Sequence, residues 1–169
     1  MGTTKAAKQP PRRSLKRRGR RAVRITVIAS VFNKPVTEAL MSGARAALRR
    51  HGIPARQIRC VWVPGAFELP VAAAALAASK ARPDAIVAVG CVIKGETPQY
   101  AALGQAVMHG LAQVSVHDRM PVGCGVVIAD SMAQARARAG GAVGNRGEEA
   151  ALAALAMLET IGRFNHPHA

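Results

Sequence analysis

The chain's 169 residues suffice for one domain with a sizeable core, and half of them are hydrophobic although only 3% are aromatic. Such a balance suits small aliphatic side chains packed on a parallel sheet, and disfavours a module that reads nucleic acid by stacking bases on rings. The formal charge of +15 is unevenly spread, because residues 1–21 hold nine Lys and Arg without an acid, which leaves the remainder at +6.

That leader is rich in Lys, Arg, Pro and Gly and nearly free of apolar residues, which predicts a disordered basic tail able to make weak contact with nucleic acid. It lacks the apolar core of a secretory signal, and its few hydroxyl residues and clustered charge fit a transit peptide poorly. No later apolar run reaches the roughly eighteen residues of a membrane span. Cys60, Cys91 and Cys124 each lie at or beside the end of an apolar run, without metal or redox spacing. They read as reduced core residues of a cytoplasmic protein.

From Val23 onward short apolar runs alternate with longer segments of helical period. A first strand is expected at 24–30, then a helix at 35–50 with Val36, Leu40, Ala44, Ala47 and Leu48 on one face and His51-Gly52 as its stop. A second strand at 58–63 ends at Pro64-Gly65, followed by an alanine-rich helix at 67–80. The third strand, 85–89, reads as buried on both faces and breaks at Gly90. Thr97 then reads as an N-cap with Pro98 at the first helical position, so free N–H groups and the helix dipole would suit an anion above the strand. Strand, glycine and capped helix recur throughout α/β proteins, and a plain turn fits that stretch as well. The helix from Pro98 runs to about 116, a fourth strand spans 122–128, and Asp130 or Ser131 caps the next helix. Asn145-Arg146-Gly147-Glu148 resembles a capping box that opens a final helix to about 161.

This alternation predicts a three-layer, doubly wound α/β domain over 22–162, with a four-stranded parallel sheet in flavodoxin-like order and a short tail at 163–169. Right-handed crossovers bring the loops after all four strands to one edge. Those loops carry Phe32-Asn33, Gly65-Ala66-Phe67-Glu68, Gly95-Glu96-Thr97 and Asp130-Ser131.

Five ordered motifs carry a resemblance: Ser30-Val31-Phe32-Asn33, Val63-Pro64-Gly65-Ala66-Phe67-Glu68-Leu69-Pro70, Val92-Ile93-Lys94-Gly95-Glu96-Thr97-Pro98, Pro121-Val122-Gly123-Cys124-Gly125-Val126, and Gly144-Asn145-Arg146-Gly147-Glu148-Glu149-Ala150-Ala151. Through the whole domain the chain resembles the 6,7-dimethyl-8-ribityllumazine synthases of riboflavin biosynthesis. The resemblance implies condensation of 5-amino-6-(D-ribitylamino)uracil with 3,4-dihydroxy-2-butanone 4-phosphate, releasing phosphate and water, with no metal or redox cofactor. It also implies pentamers, in some members packed into icosahedral shells, with active sites shared between neighbours.

On that resemblance Phe32 stacks on the pyrimidine, while Ala66, Phe67 and Glu68 bind the ring and ribityl chain. Cys91, Val92 and Ile93 line the uracil through their main chain. Glu96 and Thr97 form the phosphate turn, with the Glu96 carboxylate directed away. Arg138 binds the phosphate as a bidentate fork. Arg146, where the family usually has lysine, keeps a positive charge near the site. Cys124, Arg138 and Arg146 are expected to come from the neighbouring subunit. The plainer readings are a Phe32 that plugs the core edge, a Glu68 that only faces a helix dipole, an Arg138 that is merely solvated, and an Arg146 that pairs locally.

Three departures stand out. Gln99 occupies the position of the family's proton-transferring histidine, and an amide cannot titrate. Cys124 replaces an aromatic that closes over the heterocycle in many members, and Val31 replaces an arginine. His109 lies ten residues further along the same helix, about 15 Å in rise, and reads as a core or interface residue rather than a substitute. An active synthase, slowed at Gln99, is therefore weighed against a silenced relative that still binds a lumazine or flavin, and against an assembly whose tail gathers nucleic acid.

Overall fold

The computed structural model describes residues 22–165; the expected basic tail, with its nucleic-acid contact, and the last four residues lie outside the described residues. The elements are β1 (Ile25–Ser30), α1 (Lys34–Arg50), β2 (Ile58–Val63), α2 (Leu69–Ala78), β3 (Ala85–Ile93), α3 (Gln99–His117), β4 (Val122–Ala129), α4 (Met132–Ala137), β5 (Ala139–Gly141), β6 (Gly144–Asn145) and α5 (Arg146–Asn165), with 3-10 turns at Ala55–Gln57 and Ala66–Glu68. The first four strands pair in parallel in the order β2-β1-β3-β4, so the expected doubly wound α/β sheet is present.

Burial on both faces explains why the strands show apolar runs rather than alternation. In β1, Ile25, Val27 and Ala29 pack into one core with α1 and α5, whereas Ile28 faces the other core, made with α2 and α3. Leu40 and Leu48 of α1 are fully buried in the first core, each worth about 1.5–3 kcal/mol in transfer free energy. The edge strand β2 has only one neighbour, and this exposes Cys60, contrary to the core position expected of it. Cys91 is buried and Cys124 half-buried, and all three thiols are free.

The third strand does not break at Gly90 but continues to Ile93. A Cβ at Gly90 would stand 2.9 Å from Leu69 Cδ1 and 3.4 Å from the Ala66 Cβ. Glycine here permits the start of α2 to approach the sheet rather than ending the strand. Thr97 is not the N-cap of α3; Pro98 occupies that position at φ −69° and ψ 2°, so helical bonding begins one residue later than expected. The second helix is also shorter, because a 3-10 turn occupies Ala66–Glu68 before α2 begins.

Ser131, not Asp130, caps α4, its hydroxyl accepting from Gln134 N–H at 3.2 Å. Asn145 Oδ1 accepts from Gly147 N–H at 2.9 Å and Glu148 N–H at 3.1 Å, while the Glu148 carboxylate pairs with Arg50 instead of completing a capping box. Ahead of α5 lies an antiparallel β5–β6 hairpin that the sequence reading did not anticipate, and α5 extends to Asn165. Among the described residues, no helix is long and apolar enough to cross a membrane.

Candidate functional site

At the carboxyl edge of the sheet, the loops after β1, β2 and β3 enclose a cleft of about 360 Å³. One wall is the turn after β1. Val31 N–H donates to Val63 C=O at 2.8 Å and Phe32 N–H to Pro64 C=O at 3.1 Å, so the β1–β2 ladder carries past the strand ends and fixes Phe32 beside the Gly65–Glu68 turn. The next residue, Asn33, turns the chain in the left-handed region at φ 59°, and its Nδ2 donates to the Cys91 carbonyl at 3.0 Å. Asparagine adopts that conformation more readily than most residues, and its amide locks the turn onto β3.

Phe32 and Phe67 both line the cleft and are 70% and 61% exposed. Those exposures exclude a core-plug role for Phe32. Two open aromatic faces beside a concave surface form a platform for a planar ring. Ala66 is buried beneath them, and the half-buried Glu68 lies over Gly65, its Oε2 2.8 Å from where a Cβ would stand there. Cys91, Val92 and Ile93 form the floor at the end of β3. Burial pushes the Cys91 thiol up to about 11, so it stays protonated at neutral pH and is a poor nucleophile.

The far end is the loop from Lys94 to Pro98, of which Gly95 and Thr97 face the cleft while the exposed Glu96 does not. Gln99, Tyr100 and Leu103 close this end from the first turns of α3. His109 is exposed, not in the core, and does not line the cleft.

The remaining expected site residues are elsewhere on the chain. Arg138, the exposed C-cap of α4, and Arg146, at the start of α5, are brought together by the hairpin, Arg146 N–H donating to Arg138 C=O at 2.8 Å. Arg146 Nη1 also pairs with Glu149 at 2.8 Å, as the local-pairing reading expected. Cys124 sits on β4, packed on the α2–α3 core. None of these three lines the cleft, whose only charged lining residue among the described residues is Glu68.

Sequence reading did not single out Asn33, Gly65, Gly95, Tyr100 or Leu103, which these contacts bring into the site. Asn33 and the two glycines stood inside motifs already noted. Tyr100 and Leu103 carried the only other available signal, an i, i+3 spacing on α3.

The 6,7-dimethyl-8-ribityllumazine synthase family model matches residues 22–161. A protein named 6,7-dimethyl-8-ribityllumazine synthase from Gemmatimonas aurantiaca is 46% identical over 140 residues, which cover 83% of this chain and 85% of that one. The matched span includes the cleft and every residue that lines it, and the chain belongs to the 6,7-dimethyl-8-ribityllumazine synthase family.

Proposed function

We propose that this chain condenses 5-amino-6-(D-ribitylamino)uracil with 3,4-dihydroxy-2-butanone 4-phosphate to 6,7-dimethyl-8-ribityllumazine, releasing phosphate and water. The observation that carries the reading is the pair of open aromatic faces, Phe32 and Phe67, over a floor of strand-end backbone in a family-matched cleft. Phe32 stacks on the pyrimidine, Cys91 to Ile93 meet its edge, and Glu68 accepts hydrogen bonds from the ribityl hydroxyls. Thr97 and the backbone N–H groups around it receive the phosphate of the second substrate.

Phosphate carries negative charge, yet among the described residues no Lys or Arg lines the cleft. Arg138 and Arg146 of a neighbouring copy supply that charge, and Cys124 of the same neighbour closes over the ring. The active form is accordingly a pentamer or a shell of pentamers in the cytoplasm. The basic segment 1–21 offers phosphate-rich partners a salt-sensitive contact.

Gln99 orients the ketone or the departing phosphate by hydrogen bonds but moves no proton near neutral pH. General acid–base help is typically worth about 10²–10⁴ in rate, whereas holding two reactants in register can contribute more, so a slow synthase follows. One observation favours a second reading, a silenced member that binds a lumazine or flavin: Gln99, which lines the cleft, cannot titrate.

Lumazine formation, followed by absorbance and fluorescence against a no-enzyme control, separates the two. A rate above the spontaneous condensation is expected. Background rate with tight binding of the ribityl-pyrimidine would establish the silenced reading instead.

A further inference from the structure

The loop that forms the far end of the cleft is held at both ends by consecutive residues of one strand end. Where the loop leaves β3, Lys94 N–H donates to the Ala129 carbonyl at 2.9 Å. Where it enters α3, the Tyr100 hydroxyl donates to Asp130 Oδ1 at 3.3 Å. The residues between, Gly95 to Gln99, are all exposed, and α3 has no side-chain cap. A helix start without a cap leaves its first turn free to fray, and every donor of the phosphate turn lies on this stretch.

Asp130 is itself fixed. Its N–H donates to Gln134 Oε1 at 2.8 Å, and Gln134 belongs to α4, which ends at Arg138. The Tyr100 ring packs on the α2–α3 core and lines the cleft beside Gln99, so its hydroxyl is the part not needed for packing. We propose that the Tyr100–Asp130 hydrogen bond is a clasp that holds the phosphate turn in its binding geometry. Tyr100 and Asp130 are then positioning residues for the phosphate-bearing substrate, an inference that rests on the function proposed above. The clasp acts on one end of the cleft only, because the pyrimidine end hangs on β1, β2 and Asn33.

Tyr100→Phe removes the hydroxyl and keeps the ring; Asp130→Ala removes the acceptor, and Asp130→Asn keeps an oxygen in its place. Binding of inorganic phosphate to the full-length protein, by titration calorimetry, is measured beside the KM for each substrate. Losing one hydrogen bond should weaken phosphate binding about three- to tenfold in Tyr100→Phe and in Asp130→Ala, with the KM for the butanone phosphate rising in parallel. Asp130→Asn should stay within about twofold of the parent, the double variant should be no weaker than either single one, and the KM for the pyrimidine should hardly move.

Unchanged phosphate affinity in Tyr100→Phe would overturn the clasp, as would additive losses in the double variant or equal rises in both KM values. A parent protein that binds no phosphate and forms no lumazine would sink the proposed function and the clasp with it. Normal phosphate binding by parent and Tyr100→Phe alike would sink the clasp alone.

Discussion

The two ends of the cleft are built differently. At the proposed pyrimidine end the lining hangs largely on the sheet: Phe32 by ladder bonds past β2, Asn33 by its amide to β3, and the floor by the last residues of β3. At the proposed phosphate end the lining comes from an exposed loop and an uncapped helix start, and among the described residues no Lys or Arg lines it, although Lys94 stands where the loop leaves β3. A flat, neutral ring needs shape, which one chain supplies through its strand ends. A doubly charged phosphate needs opposing charge, and Arg138 and Arg146, the two arginines proposed for it, lie outside this chain's own cleft.

The largest effect is expected at Gln99, proposed above to stand in place of a proton-transferring histidine. Gln99→His restores a titrating group where α3 begins, and turnover should rise on the order of 10²-fold if acid–base help is all that is missing. An unchanged rate would show that the substrates are not held in reacting register, and would blur the contrast between the ends.

A smaller effect tests the burial of the pyrimidine end. The Cys91 thiol titrates near 9.0 in the ordinary case and at about 11 when buried in the fold. Below pH 9 folded and unfolded chains both keep the proton, and the stabilisation is complete. Above it the unfolded chain ionises first, so stability falls as pH rises toward 11. In Cys91→Ala the loss between pH 9 and 11, read by urea denaturation, should be shallower than in the parent. Parallel curves would mean that this floor is wetter than the packing implies.

The sheet and its helices were legible in the sequence because parallel strands buried on both faces write themselves as apolar runs, and β1 and β3 are such strands. Gly90 misled because a glycine inside a strand and a glycine after one look alike until Leu69 and Ala66 are seen against it. The β5–β6 hairpin is too short for alternation to show, and its glycines at 140 and 144, with φ of 108° and 91°, were the one available sign. The site was half legible. Phe32, Ala66, Phe67, Glu68 and the end of β3 gather as expected, because loops after parallel strands share an edge. Tyr100 escaped notice because its hydroxyl finds Asp130 thirty residues away, a pairing that no local pattern encodes.

That the site is divided between copies is the central claim, and mixed oligomers test it most directly. Arg138→Ala lacks the donated cation, and a Phe32→Ala, Glu68→Ala double variant lacks the pyrimidine end. Each made alone should show little lumazine formation. Co-expressed, they should assemble some interfaces with both halves intact, about a quarter of them if mixing is random, and the rate should recover toward that share of the parent's. Mixed assemblies no more active than the two variants kept apart would contradict a shared site, and would mean that each chain works with its own cleft alone.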